Sequence, residues 1–165
     1  MSVPSTDPII TVPMVTPFDD EDRLDLKAAE RNMARWLKTP LSGFLVGSQS
    51  GEEAHLSEVE KLELARVVHE TLSGDRFLIG GIDCPSVTET LHRAESFAEV
   101  GAEMVRVRFP RQPSVVLPYF DQVLPRCPVP VLLMHQCEPA SFGVAASPAA
   151  APEVLGQVSQ MDNVF

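Results

Sequence analysis

The sequence predicts an α/β fold, a parallel sheet of five βα units that is either an open doubly wound sheet or part of a closed barrel. Three observations predict it. Strand-like and helix-like segments alternate at about thirty residues, the size of one βαβ step. The strand-like runs, such as Phe77-Leu78-Ile79-Gly80-Gly81, are apolar at successive positions, as strands buried on both faces are. Between them, apolar residues recur at helical spacing. A closed eight-stranded barrel takes about 250 residues, so the 165 residues here would form only part of one.

Residues 1–8 are polar and short and read as a loose tail, which leaves 9–165 as the folded domain. Ile9 to Val15 reads as the first strand, closed by Thr16-Pro17-Phe18, and Asp19 to Asp22 as a solvated acidic loop. The next helix has Asp25 as its cap, with Leu26, Ala29, Met33 and Trp36 on one apolar face. Thr39-Pro40 ends it, because the residue before a proline is pushed out of helical geometry.

Phe44 to Val46 is a second strand, running into the small-residue turn Gly47-Ser48-Gln49-Ser50-Gly51. Ser57-Glu58-Val59-Glu60 spells a capping box. The helix behind it carries Val59, Leu62, Ala65, Val68 and Leu72 as its apolar face, and Gly74 marks its stop. The third strand, Phe77 to Gly81, precedes a second Ser-to-Glu box at Ser86 and Glu89. That helix turns Leu91, Ala94 and Ala98 inward and ends at Gly101. Met104 to Phe109 is the fourth strand. Val115 to Leu124 is a poorer helix, since Pro118 is tolerated only near a helix start. Val129 to Met134 is the fifth strand, and Ala140 to Ala151 an extended loop. Pro152 opens a last helix through Val158. Asn163-Val164-Phe165 reads as the opening of a sixth strand.

Composition narrows the function. Hydrophobic residues make up 44% of the chain, as in a globular protein. A net charge of −10 argues against nucleic acid as a partner. No apolar run is long enough to span a bilayer. Three cysteines without a Cys-x-x-Cys spacing fit a reducing, cytoplasmic compartment. Lys27, Lys38 and Lys61 fall on helix segments, and His55, His69 and His92 read as surface residues. His135, Cys137 and Glu138 cluster after the fifth strand, with Asp83 and Cys84 as conceivable additions, but their spacing matches no usual metal site. Neither a metal nor a cofactor is therefore expected. Arg106 and Arg108 share one face of the fourth strand and need carboxylate partners, with Glu52, Glu53 and Glu138 as candidates.

Several stretches carry a resemblance. Pro13-Met14-Val15-Thr16-Pro17-Phe18 resembles the first-strand motif of the dihydrodipicolinate synthase and N-acetylneuraminate lyase family. Ser48-Gln49-Ser50-Gly51-Glu52, with Leu56-Ser57 behind it, resembles that family's Gly-Thr-Thr-Gly-Glu loop and Leu-Ser helix start. Pro130-Val131-Leu132-Leu133 is similar to the strand that carries its active-site tyrosine. Ala151-Pro152-Glu153 and Asp162-Asn163-Val164 are similar to its Ser-Pro-Glu and Pro-Asn-Ile segments.

The resemblance implies a partial (β/α)8 barrel. It also implies a lyase, aldolase or dehydratase acting through a Schiff base between a lysine and a pyruvate-like or sugar-derived 2-keto acid. A desolvated lysine serves there as nucleophile and its iminium as electron sink. By the same comparison the lysine would lie beyond Phe165, so this chain would be inactive alone. Met134 stands at the tyrosine position, and Arg111 and Gln112 replace a pair of aromatic residues. Gln49 and Ser50 take the place of the carboxylate-binding threonine pair. No catalytic residue is therefore assigned. The expected ligand site is Ser48, Gln49, Ser50, Gly51, Arg108, Arg111 and His135, at the C-terminal ends of the strands. The alternative is a non-catalytic or differently catalytic relative that binds a small carboxylate. Open strand edges further predict a homo-oligomer.

Overall fold

The first strand is shorter than its apolar run. A computed structural model describes residues 9–73, 75–83, 86–135 and 150–165. Strand β1 is Thr11–Pro13, shorter than the expected Ile9 to Val15. Pro13 has no N–H for a ladder, and Ile9 and Ile10 are exposed ahead of it. The tail at 1–8, Gly74, Cys84, Cys137, Glu138 and the loop through residue 149 lie outside the described residues.

The chain divides into two compact units, Met1–Ile79 and Gly80–Phe165. In the first, β1 runs parallel to β2, Gly43–Val46, with Val12 opposite Phe44. Helix α1, Leu26–Trp36, starts where the Asp25 carboxylate accepts the Ala28 N–H at 2.9 Å. Ala29 and Met33 form its buried face. It stops at Trp36, short of Thr39-Pro40, and the Arg76 guanidinium donates to the carbonyls of Leu37, Thr39 and Leu41 at 3.0–3.1 Å. Leu37 is the C-cap, whose carbonyl has no intrahelical donor, and Arg76 supplies one there and to the loop that follows.

Helix α2, Glu58–Thr71, packs against α1. Its capping box forms as expected, with Ser57 and Glu60 bonded in both directions. Its apolar face is shifted from the one expected. Val59 is 66% exposed, while Leu64, Ala65 and Val68 are buried. The first turn of the helix projects past the core, and Leu56, ahead of the cap, is the buried apolar group at that end.

Strand β3, Phe77–Ile82, contains the boundary between the units. Strand order is therefore β1-β2-β3 in the first, and in the second it continues from β3 to β4, Met104–Arg108, and β5, Val131–Met134. β4 and β5 are parallel, with Arg106 opposite Leu132 and Arg108 opposite Met134.

Helix α3, Val87–Glu99, starts with the Ser86 hydroxyl accepting the Glu89 N–H at 3.1 Å. The Glu89 carboxylate meets Arg93. Thr90, Leu91, Ala94 and Phe97 are its buried side. Helix α4, Val116–Val123, has Pro118 in its first turn and is bounded by 3-10 turns. The Tyr119 and Thr90 hydroxyls meet at 2.6 Å between α4 and α3, both buried. Helix α5, Pro152–Val158, opens on its proline. Val164 then bridges Val131 in parallel, as the opening of a sixth strand would. Among the described residues, no helix is long and apolar enough to cross a membrane.

Candidate functional site

At the end of β2 the chain turns into the first unit's candidate site. Gly47 takes a positive φ of 77°, which a glycine adopts without steric cost. Ser48 is extended, and Gln49–Gly51 forms a 3-10 turn. The turn is self-bonded: the Ser48 carbonyl accepts the N–H of Gly51 at 2.9 Å and of Glu53 at 3.2 Å, and the Gln49 carbonyl accepts that of Glu52 at 3.0 Å. Glu52 then sits in the left-handed region at φ 58°. For a residue with a Cβ this costs on the order of 1 kcal/mol.

Gly51 packs directly on the end of the first strand. A Cβ there would stand 2.3 Å from the Met14 carbonyl oxygen. The Thr16 hydroxyl donates to the Gly51 carbonyl at 2.6 Å.

Burial sorts the loop's polar side chains. Ser50 is exposed and Gln49 half-buried, whereas Ser48 is only 6% exposed. The Ser48 Oγ is buried and, among the described residues, has no hydrogen-bond partner. Buried polar atoms are nearly always satisfied, so an exception is a place where a ligand or water can complete the set. The family resemblance led to the expectation of a carboxylate-binding pair at Gln49 and Ser50; the buried hydroxyl is that of their neighbour Ser48. Thr16, absent from the expected site, is the second hydroxyl buried here. Its signal was its place between an apolar strand and Pro17.

In the second unit the polar groups cluster on Asp83, one residue past β3. Its Oδ1 bonds Arg106 Nη1, and its Oδ2 meets Arg108 Nη1 at 2.8 Å. Arg106 is 2% exposed, so a carboxylate at its head group is what its burial demands. Asp83, read from sequence only as a conceivable metal ligand, is the carboxylate seen on both arginines. Arg108 is half-buried at the strand end, and Arg111 is exposed.

His135 follows β5 directly. Its Nε2 accepts the Ala150 N–H at 3.0 Å. The ring stands edge-on to Phe109, with centroids 5.1 Å apart. Ser48 to Gly51 thus belong to the first unit, and Arg108, Arg111 and His135 to the second. Among the described residues, no three His, Cys, Asp or Glu side chains gather as metal ligands do.

Known proteins agree with this architecture. A model of the dihydrodipicolinate synthetase family matches residues 8–133. A 4-hydroxy-tetrahydrodipicolinate synthase of Corynebacterium aurimucosum is 31% identical over 113 residues, 68% of this chain and 35% of that protein. Another, from Exiguobacterium sp., is 24% identical over 155 residues, 92% of this chain and 51% of its own. Among solved structures, a dihydrodipicolinate synthase family protein from Coccidioides immitis matches with a TM-score of 0.82 at 25% identity. That match takes in 96% of this chain and 50% of the other. An N-acetylneuraminate lyase from Mycoplasma synoviae shares the fold, with a TM-score of 0.75 at 20% identity, over 93% of this chain and 51% of that one.

The chain therefore spans about half the length of these relatives, or less. Its fold is that of the first five βα units of their (β/α)8 barrel. With the family model matched along most of its length, the chain belongs to the dihydrodipicolinate synthetase family.

Proposed function

We propose that the loop from Ser48 to Gly51 binds the carboxylate of a small 2-keto acid, in a protein whose family chemistry is that of a lyase. The observation that carries this reading is the Ser48 hydroxyl, buried and without a hydrogen-bond partner among the described residues. A carboxylate oxygen would accept from it, and hydrogen bonds to charged groups contribute about 1.5–3 kcal/mol. Gln49 and Ser50 would supply further donors at the loop's outer side. In the second unit, taken by itself, Arg108, Arg111 and His135 are further substrate-binding candidates, the two arginines by their positive charge.

The test is calorimetry with pyruvate. Ser48→Ala should weaken binding by roughly 10- to 150-fold. Without pyruvate the variant should melt no lower than the wild type, because its removed hydroxyl has no partner to lose. Equal affinities for both proteins would overturn the reading.

The full Schiff-base activity is the finer part of the proposal. It would use a lysine following the Asn163-Val164-Phe165 segment in a longer chain, with the iminium as electron sink. The lysines described here are unsuited to it. Lys27 and Lys38 are exposed, and Lys61 Nζ meets Glu58 at 2.8 Å. Borohydride reduction with pyruvate should then leave residues 1–165 without a covalent adduct. An adduct on any of these three lysines would contradict it.

A second reading, a relative that binds carboxylates with different or no catalysis, is favoured by Met134. It ends β5 where the resemblance expects a proton-relaying tyrosine, and a thioether relays no proton. A longer chain that binds pyruvate yet forms no adduct would select this second reading.

A further inference from the structure

We propose that Thr16 is a positioning residue for the Ser48 loop: its hydroxyl holds the Gly51 peptide and so sets the direction in which the Ser48 hydroxyl is presented. This rests on the carboxylate-binding reading above and adds the device that shapes the site.

Three observations carry it. First, the turn's backbone bonds among Ser48, Gln49, Gly51, Glu52 and Glu53 are internal. They give the turn its form but do not fix it to the strand beside it. Second, the Thr16 Oγ1, three residues past β1, donates to the Gly51 carbonyl at 2.6 Å, with Thr16 only 8% exposed. This is a short bond in a water-poor place, where a lost partner is costly. Third, Gly51 is so close to the Met14 carbonyl that no Cβ fits, and the Ser48 Oγ lies 3.6 Å from that same Cβ position. The open side of Gly51 thus faces the Met14 carbonyl, one residue past β1, and the Ser48 Oγ. Rotating its peptide would carry Ser48 with it and would also disturb Glu52, which follows in the left-handed region.

Thr16 and Ser48 therefore form one unit of two buried hydroxyls with different tasks. Thr16 spends its proton on the protein, and Ser48 keeps its own for a ligand. Thr16→Val keeps the volume and removes the donor; Thr16→Ser keeps the donor; Thr16→Ala removes the donor without bulk, should valine disturb folding.

Two measurements on the intact chain test it. In the first, pyruvate dissociation constants are determined for Thr16→Val, Thr16→Ser, Ser48→Ala and the double variant. Thr16→Val should weaken binding about tenfold, Thr16→Ser should restore most of it, and Thr16→Val on the Ser48→Ala background should add little. Such non-additivity is what acting through Ser48 means, and a general loss of stability would not produce it. If Ser48→Ala weakens binding and Thr16→Val does not, the positioning role is wrong while carboxylate capture stands. If Thr16→Val weakens both backgrounds equally, Thr16 acts independently of Ser48, which likewise overturns it.

The second measurement needs no ligand. Amide exchange at Gly51, Glu52 and Glu53 should speed up about tenfold or more in Thr16→Val and stay near wild type in Thr16→Ser. Unchanged exchange would overturn the proposal even if pyruvate proved not to bind at all.

Discussion

Asn163 shows how much one side chain can join. Its Nδ2 lies 3.0 Å from the Leu124 carbonyl oxygen, 3.1 Å from that of Cys127 and 3.2 Å from that of Val129. An amide has two N–H groups, so the three acceptors share them. Its own carbonyl accepts the Val131 N–H at 2.9 Å, and its backbone takes a left-handed φ of 69°, which asparagine tolerates better than most residues. The residue thereby fastens the end of α4 to the start of β5. Asn163→Ala should lower unfolding stability by about 1–3 kcal/mol in urea titrations, the cost of buried carbonyls losing their donor. Asn163→Asp should be worse, since it sets a carboxylate against three carbonyl oxygens. An alanine variant as stable as wild type would show that solvent replaces the amide. From sequence Asn163 reads only as a strand opening. The carbonyls it binds are 34 to 39 residues away, and nothing local marks them.

At the scale of the element, what was legible is what is local. Ser57 and Glu60 are three residues apart, and their capping box follows from helix geometry alone. The same holds for the Asp25 cap and for Pro152 opening α5. Which face of a helix is buried depends on its neighbours, and there sequence spacing put Val59 inside while the structure leaves it in solvent. The α2 cap also makes a pH prediction. The Ser57 hydroxyl and N–H, in that order, hold the Glu60 carboxyl below the usual carboxylate range. A lowered folded-state value means the ionised form is favoured by folding. Its contribution is therefore present above the unfolded value and is lost as pH falls through the folded one. Ser57→Ala should cost about 0.5–2 kcal/mol at neutral pH. The gap between it and wild type should narrow as urea midpoints are followed into acid below the ordinary carboxylate value. A gap that stays constant with pH would mean that the hydroxyl's bond to the Glu60 N–H, and not the carboxylate, makes the difference.

For the whole chain, the alternation of strand and helix was readable because βα units repeat at a fixed length, but the candidate site was readable only in part. Its loop announced itself by small residues. The burial of the Ser48 hydroxyl, the Thr16 bond to Gly51 and, in the second unit, the Asp83 partner of both arginines are tertiary facts. The strand edges bear on association. β1 pairs with β2 on one side, and among the described residues it has no strand on the other. Ile9, Ile10 and Val15 around it are 42%, 48% and 46% exposed. An edge strand flanked by exposed apolar side chains is a template for pairing with another chain. We therefore expect the 165-residue chain to self-associate as its concentration rises. The net charge of −10 opposes this by mutual repulsion, so added salt should strengthen association by screening. Sedimentation velocity over a concentration series, at low and raised salt, reads both effects. Ile10→Lys places a charge on the edge and should shift the equilibrium toward monomer without lowering the melting temperature, because the side chain it replaces is nearly half in solvent. A wild type that sediments as a monomer at every concentration and salt level would show that Pro13 and the shortness of β1 protect the edge on their own.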